Sequence, residues 1–259
     1  MSMTSTELRK PVVAVQRAVR ILRFLGAAQR PAGVNEVARA LGIVPSTCLH
    51  ILKTLDHDGL VSEDKAAKKY QLGPTLLRFA RDMVGSNDFV RNVQTALDRI
   101  AQAHQVTTVA VWREGTDRII VVAKAHAPTN FSIHVNIGSR FPALTSAIGH
   151  CFAATGDMDP AYLRQPFEEL NWQNTPDFTT WLDDVAYARE NGYAIDAGHH
   201  IGGVTVVAAP VREAIAGTNR AIAGLGLSEQ LKGGALASLA ADLKQSADTL
   251  SELYSEDIV

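Results

Sequence analysis

The chain has 259 residues, of which 46% are hydrophobic and 20% charged, which fits one large or two ordinary domains and excludes a disordered chain. No run approaches the roughly 18 apolar residues of a membrane span, the N-terminus lacks a signal-peptide pattern, and the two cysteines, Cys48 and Cys151, give no disulfide framework. We therefore expect a soluble, cytoplasmic protein. Residues 1–84 carry 13 Lys+Arg against 7 Asp+Glu, and the remainder carries 12 against 20, which predicts a module for a polyanion joined to a different module.

The first predicted element is a helix over residues 13–25, ended by Gly26 and then Pro31. Apolar residues recur along it at helical spacing and are expected to face the core. They are Val15, Ala18, Val19, Leu22 and Leu25.

A helix-turn-helix pattern follows. A second helix fits residues 34–41, and Gly42 supplies a sharp turn. The pair Pro45-Ser46 then marks the start of a third helix over residues 46–56. Three leucines of the third helix are expected to be buried; they are Leu49, Leu52 and Leu55.

The next pattern is that of a β-hairpin. Residues 59–62 and 70–73 alternate between apolar and polar side chains, and the charged loop 63–69 joins them. Together with the preceding helices they predict a winged helix-turn-helix. A further helix over residues 76–84 ends at a boundary over residues 85–88.

The third helix and the hairpin carry side chains suited to DNA. A recognition helix reads the major groove with its N-terminal end and its exposed face. The candidates there are Pro45, Ser46, Thr47, His50 and Lys53. The wing offers phosphate or minor-groove contacts through Lys65, Lys68 and Lys69. The alternatives are a solvated charged turn, a surface histidine without a role, and a winged helix that contacts protein.

The rest of the chain interleaves helices and strands with short connections, which predicts an α+β domain. Helices are expected over residues 89–104, 144–154, 160–165, 178–191 and 235–254. Strands are expected over residues 107–112, 118–124, 131–135, 193–196, 204–210 and 221–227.

Several segments resemble the IclR family of bacterial transcriptional regulators. They read AVQRAVRIL at 14–22, VNEVARALGI at 34–43, PST at 45–47, LKTL at 52–55, GLV at 59–61 and YQLG at 70–73. The resemblance implies a winged helix-turn-helix over residues 11–73, a linker helix over 74–87, and a GAF-like effector-binding domain with a curved antiparallel sheet over 88–259. Pro45 stands where the family often has lysine, so one phosphate contact is not expected here.

The resemblance continues in the second module with GSRFPALTSAIG at 138–149, GYAID at 192–196 and GVTVVAAPV at 203–211. The first of these is a loop entering a helix, with Thr145 or Ser146 as candidate N-cap. The free N–H groups there predict an anion site; the alternative is an ordinary capped core helix. Val206 stands where the family commonly has cysteine, and residues 197–200 replace its usual acidic pair. No particular effector therefore carries over from the family.

The candidate effector-binding residues are Arg140, Ser146, Ala147, Ile148, Asp196, Thr205 and Val206. Arg140 is a nearby cation that would pair with a carboxylate, unless it is an ordinary loop arginine. Further strand residues are candidates to face the pocket, although the sequence does not say which face is inside. They are Val109, Val111, Phe131, Ile133 and Val207.

The second module also contains side chains that bind zinc in other proteins. They are His126, His134, His150, His199 and His200, with Cys151 and Asp196. No pair of them has strong ligand spacing, because His199 and His200 would point apart on a strand. We expect neither a metal nor another cofactor.

Three functional hypotheses follow. The first is a ligand-responsive regulator, not an enzyme, in which a small metabolite, such as an organic acid, changes operator binding; as a homodimer or dimer of dimers it would read a palindromic operator in double-stranded DNA. The second is a metal-dependent enzyme with an appended DNA-binding head, although hydrolase and phosphate-loop motifs are missing. The third is a protein-interaction adaptor without salt-dependent affinity for DNA. None of the three involves a membrane.

Overall fold

A computed structural model describes residues 12–86, 88–115, 117–128, 133–156, 160–212 and 218–255. The chain forms two compact units, and the first unit ends at Ser86. The helices of the first unit are α1 (Val13–Ala28), α2 (Val34–Leu41), α3 (Pro45–His57) and α4 (Thr75–Ser86). Its strands are β1 (Ala32–Gly33), β2 (Val61–Asp64) and β3 (Lys69–Leu72). The division of this unit at residues 73 and 74 stays a prediction.

The buried face of α1 differs from the predicted stripe. Ile21 and Leu25 are buried, whereas Val15 and Val19 are 60% and 40% exposed. The helix also continues through Gly26 and ends at Ala28. The cause is that α1 joins the core through its C-terminal half, where Ala18 and Leu22 pack on the cluster that Ile21 and Leu25 enter.

The helix-turn-helix turns at Gly42, whose φ of 64° lies in the left-handed region that favours glycine. The Ile43 N–H then donates to the Ala38 carbonyl at 2.9 Å, and α3 begins with Pro45 at its first turn. Cys48 is buried beside Leu52 and Leu55, a position that the sequence analysis gave to Leu49. The antiparallel pair β2 and β3, joined by β1, completes the predicted winged helix-turn-helix.

The second unit is an α+β domain, as predicted. Its helices are α5 (Asp88–His104), α6 (Ser146–Thr155), α7 (Pro160–Glu168), α8 (Phe178–Asn191) and α9 (Gly233–Ser255). Its strands are β4 (Thr107–Glu114), β5 (Arg118–His126), β6 (Arg140–Pro142), β7 (Ala194–Ala197), β8 (Val204–Val211) and β9 (Arg220–Leu227). Within the described residues these strands form a curled antiparallel sheet in the order β6-β5-β4-β9-β8-β7.

The strand predicted over residues 131–135 is not formed in its described part. Phe131 lies outside the described residues, and residues 133–136 have no strand pairing. Side chains hold this segment instead, because Thr107 Oγ1 donates to the Ile133 carbonyl at 3.1 Å and Lys124 Nζ donates to the Val135 carbonyl at 3.0 Å. The edge strand beside β5 is β6, which the sequence analysis missed.

The sheet separates two apolar clusters. Val207 and Ala209 of β8 pack with α5 and α9, whereas Val206 and Ala208 pack with α6, α7 and α8. This alternation follows from the two-residue period of a strand, and it decides which side chains reach the candidate site. No helix of the described residues is long and apolar enough to cross a membrane.

Candidate functional site

One side of α3 is free to meet a groove of DNA. Pro45, Ser46, His50 and Lys53 are exposed and Thr47 is half-buried, while the opposite side of the helix is packed in the core of the first unit. The N–H groups of the first turn have no acceptor within the helix. The outward side of α3 therefore carries hydroxyl, imidazole and ammonium groups, and the start of the helix adds a positive helix terminus.

The lysines of the wing are carried by an ordered turn. Lys65 and Lys68 lie in the turn between β2 and β3, Lys69 is the first residue of β3, and all three are exposed. Asp64 Oδ1 accepts the backbone N–H groups of Ala66 and Ala67, both at 3.0 Å, as an Asx-type turn does. The turn and the start of β3 thus place three lysines at the tip of the wing.

The sequence analysis did not select the arginines of α1 as candidates. Arg17, Arg20 and Arg23 border a surface groove together with Gly42 and Ile43 at the helix-turn-helix turn. Arg20 donates to the Leu41 carbonyl at 2.7 Å, which stabilises the end of α2. The signal in the sequence is their three-residue spacing, which puts them on one side of a helix.

The second unit contains a cavity of about 160 Å³ between the sheet, the segment before β6, the start of α6 and the loop after β7. Its apolar lining is Val109, Val111, Ile119, Val121, Ile133, Val135, Phe141, Ile148, Ile201, Val206 and Leu225. Its polar lining is His134, Thr145, Ser146 and His200. A small molecule that fits this space needs a mostly apolar body and few polar groups.

The first turn of α6 closes one end of the cavity. Thr145 is the N-cap residue, but its side chain makes no capping hydrogen bond. Ser146 has a φ of 60°, which is unusual for a residue with a side chain. Ser146 Oγ is buried and has no hydrogen-bond partner among the described residues. The open N–H groups of the first turn and this hydroxyl make an end of the cavity that suits an anion.

The fold brings some of the predicted effector-binding residues to the cavity and places others away from it. Ser146, Ile148 and Val206 line the cavity, and Ala147 is buried next to them in α6. Thr205 lies on the opposite strand face from Val206, and its hydroxyl donates to Ser228 Oγ at 2.9 Å.

The two charged candidates for effector binding, Arg140 and Asp196, interact with other groups of the protein. Arg140 lies in β6 and forms an ion pair with Glu114, outside the cavity lining. Asp196 is 1% exposed, and its carboxylate accepts the N–H groups of His199 at 2.8 Å and of His200 at 3.3 Å. Asp196 therefore shapes the loop after β7, and this loop brings His200 and Ile201 to the cavity.

The histidines do not converge on one point. His134 and His200 line the cavity, His126 ends β5, and His150 is buried in α6. Burial lowers the pKa of His200 and lowers that of His150 to about 4, although the charge of Asp196 acts in the opposite direction on both. Within the described residues, no three His, Cys, Asp or Glu side chains are grouped to hold a metal ion.

Several lining residues were missed by sequence reasoning. Ile119 and Val121 of β5 and Leu225 of β9 belong to the cavity wall. Alternation along residues 118–124 puts Ile119 and Val121 on one face, so the signal was present. His200 and Ile201 carry no such signal, because the loop after β7 is positioned by Asp196 and by backbone bonds to residues 173–174.

Comparison with protein families gives two matches. The profile described as the IclR helix-turn-helix domain matches residues 14–65. The profile described as bacterial transcriptional regulator IclR C-terminal matches residues 82–252.

Individual proteins resemble the chain over most of its length. The glycerol operon regulatory protein of Streptomyces coelicolor is 26% identical over 214 residues, which is 80% of this chain and 81% of that protein. The HTH-type transcriptional regulator XynR of Escherichia coli is 27% identical over 227 residues, which is 84% of this chain and 86% of that protein.

Solved structures resemble the fold. A transcriptional regulator from Alicyclobacillus acidocaldarius has a TM-score of 0.83 and 28% identity, with 95% of this chain and all of that chain aligned (100%). An IclR homolog from Microbacterium hydrocarbonoxydans complexed with 4-hydroxybenzoate has a TM-score of 0.75 over 92% of this chain and 98% of that chain. At 15% identity the second likeness shows the fold alone.

Proposed function

Because the chain belongs to the IclR family of bacterial transcriptional regulators, we propose that a small organic acid bound in the second unit changes the affinity of the first unit for an operator. The relatives are named as regulators of transcription, which favours this function over a metal-dependent enzyme. A regulator of this kind acts where the DNA is, in the cytoplasm.

One observation carries the proposal for the ligand. The cavity has an apolar lining and ends at the first turn of α6, where Ser146 Oγ is buried and has no hydrogen-bond partner in the part of the chain that the structure describes. The carbon body of a small acid matches the apolar lining, and its carboxylate matches the hydroxyl and the open N–H groups. The complex of a structural relative with 4-hydroxybenzoate is consistent with this chemical class.

The proposal for DNA rests on α3 and the wing. Thr47, His50 and Lys53, with Pro45 and Ser46 at the helix start, would meet base edges and phosphates in the major groove. Lys65, Lys68 and Lys69 would contact phosphates at the flank. One such unit binds weakly, so we propose a homodimer or a dimer of dimers that reads a palindrome with half-sites about one helical turn apart.

Fluorescence anisotropy tests the function. The purified protein is titrated onto labelled DNA from upstream of its own gene and onto a random duplex, at low and moderate salt, with and without small aromatic and aliphatic acids. We expect binding to the upstream DNA that weakens steeply with salt and is altered by at least one acid. Equal binding to both duplexes, or no response to any acid, would contradict the corresponding half of the proposal.

Ser146→Leu is the variant that connects the response to the cavity. The larger apolar side chain would fill the anion-binding end, so we expect a blunted response to the acid while binding to the upstream DNA persists. The matched control is Thr205→Val, because Thr205 is also buried but lies on the other face of the sheet. A wild-type response in Ser146→Leu would show that the acid binds elsewhere.

A further inference from the structure

Two segments that belong to no helix or strand form part of the wall of the cavity. One is the loop after β7, which contributes His200 and Ile201. The other is the segment 133–135, which we call the strap and which contributes all three of its residues. Parts of a protein that move for a ligand are drawn from its least stably held segments. The attachment of the two segments therefore decides which of them yields.

The loop after β7 is bonded to the protein through its backbone. The carboxylate of Asp196, which is 1% exposed, accepts the N–H groups of His199 and His200. The Gln173 N–H donates to the His200 carbonyl at 3.3 Å. The Asn174 N–H donates to the His199 carbonyl at 3.0 Å. Bonds on both sides hold this part of the wall in place.

The strap is held in a different way, because it has no strand pairing. Two side chains of the sheet donate to its carbonyls. Thr107 Oγ1, on a residue that is 4% exposed, donates to Ile133 at 3.1 Å, and Lys124 Nζ donates to Val135 at 3.0 Å. Among the described residues no carboxylate forms an ion pair with Lys124, so the Val135 carbonyl is the partner that the structure shows for its ammonium group.

The turn after the strap is fixed on β5. The Ser139 N–H donates to the Asn136 carbonyl at 3.0 Å, and Gly138 within this turn has a φ of 86°, in the left-handed region that favours glycine. The Gly138 N–H donates to the Val121 carbonyl at 2.8 Å. The strap is therefore anchored at its C-terminal end by backbone bonds, and residues 133–135 are attached to the sheet by side chains.

Unfilled space lies on both sides of the strap. The cavity of about 160 Å³ is on one side. A second cavity of about 40 Å³ is lined by the strap together with Thr107, Lys124 and His126. Protein interiors are normally close-packed, so a segment between two spaces can shift with the loss of few packing contacts.

We propose that the strap opens and closes the cavity to its ligand, with Thr107 and Lys124 as the latch. The inference rests on the proposed function, since it concerns the ligand of the same cavity. Neither latch residue lines that cavity, so both are positioning residues that act through the strap. The latch bonds do not involve the ligand and close the empty and the occupied cavity alike. A weaker latch therefore raises the rate constants for entry and exit by the same factor and leaves Kd unchanged.

The first test measures the association and dissociation of benzoate and 4-hydroxybenzoate by stopped flow with the full-length protein. Thr107→Val removes one latch bond at similar volume and unchanged charge, and Lys124→Met removes the other with a stem of similar length. We expect both rate constants to rise about three- to tenfold in Thr107→Val and about tenfold or more in Lys124→Met, with Kd within about twofold of the wild type.

The control for this test is Gln173→Ala, because Gln173 Oε1 accepts the Gly202 N–H at 2.8 Å and so belongs to the attachment of the other loop. We expect wild-type rate constants in this variant. Wild-type rate constants in both latch variants, or faster exchange in Gln173→Ala alone, would overturn the strap as the entrance. A higher Kd in Lys124→Met without faster dissociation would show that its ammonium group attracts the ligand, and would overturn its role as a latch.

The second test detects opening without a ligand. Val206 lines the cavity and is 5% exposed, so Val206→Cys puts a thiol inside that iodoacetamide reaches when the strap opens. The native thiols of Cys48 and Cys151 are 0% and 1% exposed, and the wild-type chain gives their background. We expect the latch substitutions, added to Val206→Cys, to raise the rate of labelling by the factors found for exchange.

The labelling experiment separates the strap from the acid ligand. If neither acid binds the wild type, the acid ligand of the proposed function fails for this class, and faster labelling in the latch variants would still support the strap. Equal rates of labelling with and without the latch substitutions would overturn the strap and leave the proposed function intact.

Discussion

Thr47 and Lys53, two of the proposed DNA contacts, lie on the outward side of α3 and differ in chemistry. Thr47 is half-buried at the start of the helix, and Lys53 is exposed two turns further on. We expect Lys53→Ala to weaken binding to all sequences and to reduce the salt slope by about 1, because one phosphate contact is lost. We expect Thr47→Ala to cost about 1–3 kcal/mol on the operator and less on random DNA.

Anisotropy titrations at several salt concentrations measure both effects. His57→Ala is the matched control, since His57 is exposed in the last turn of the same helix and is not expected to reach the groove. Unchanged operator affinity in both Thr47→Ala and Lys53→Ala would mean that another surface of the first unit meets the DNA.

The buried imidazole of His150 makes the free energy of unfolding depend on pH. Its pKa is about 4 in the folded protein because burial disfavours the charged ring, against 6.5 in the unfolded chain. The unfolded state therefore binds the proton first, and folded stability is lost as the pH falls from 6.5 towards 4. The full loss from this residue is about 3 kcal/mol, and above pH 6.5 it contributes none.

Denaturant unfolding of wild type and His150→Leu at pH 7 and pH 4.5 measures this contribution, because titrating groups other than Asp196 and His199, whose charges act on His150, affect both proteins alike. We expect the free energy of unfolding of His150→Leu, taken relative to that of the wild type, to rise by about 2 kcal/mol from pH 7 to pH 4.5. A difference in the free energy of unfolding between the two proteins that stays constant with pH would show that the imidazole is already protonated or solvated in the folded protein.

Arg140 is an example of a charged residue whose interaction partner cannot be predicted from the sequence. It is a loop-flanking cation near the predicted anion site, yet its partner is Glu114, 26 residues earlier in the chain. Asp196 likewise turns to backbone N–H groups three and four residues ahead. The pairing of a charged side chain depends on which strands become neighbours, and the type and position of the residue do not contain that information.

Gly149 decides the geometry of α6, the element that closes the cavity. A Cβ atom at this position would lie 2.1 Å from the Leu144 carbonyl oxygen and 2.5 Å from its Cα. Alanine is favoured over glycine in a helix by about 1 kcal/mol, but the clash is with backbone that must move, at a cost of about 1–3 kcal/mol. We therefore expect Gly149→Ala to lower the free energy of unfolding and to weaken the acid response, since Leu144 adjoins Thr145 and Ser146.

Chemical denaturation and acid titration of this variant check the prediction. Gly234→Ala is the control, because Gly234 lies in α9 with nothing within 4 Å of an added Cβ, and there the helix preference alone should stabilise the protein. Higher stability in both variants would mean that the loop before α6 yields to the extra methyl group.

Some helices and strands were predicted from the sequence more accurately than others. The helices α2 and α8 coincide with their predicted ranges because each has a clear apolar period and is followed by glycine at Gly42 or Gly192. β6 was missed because it has three residues, too few to show alternation. Alternation in β8 pairs Thr205 with Val207 and separates them from Val206, but the inner face is set by α6 and α8 on one side and by α5 and α9 on the other. The sequence pattern gives the period of a strand and leaves its inner face open.

At the scale of the whole molecule, the charge asymmetry agrees with the division into units. The basic first third forms the winged helix-turn-helix, and the acidic remainder forms the unit with the apolar cavity. Each unit has its own apolar core, so each binding surface is supported by its own packing. Regulation then requires that the free energies of the two binding events are coupled.

That coupling leads to a prediction that does not depend on how it is transmitted. If an acid changes the Kd for the operator by some factor, the operator must change the Kd for the acid by the same factor, because the four binding equilibria form a closed cycle. We expect a factor between about 5 and 150, the usual range for coupled sites.

Anisotropy gives the DNA affinity at zero and saturating acid, and calorimetry gives the acid affinity with and without operator, both at one protein concentration. Lys53→Ala should weaken the DNA affinity in both ligand states and keep the factor unchanged, since we propose Lys53 as a DNA contact and it is not among the residues that line the cavity. Unequal factors in the two directions would contradict a fixed assembly with two coupled sites and would indicate that the acid changes the number of chains that bind.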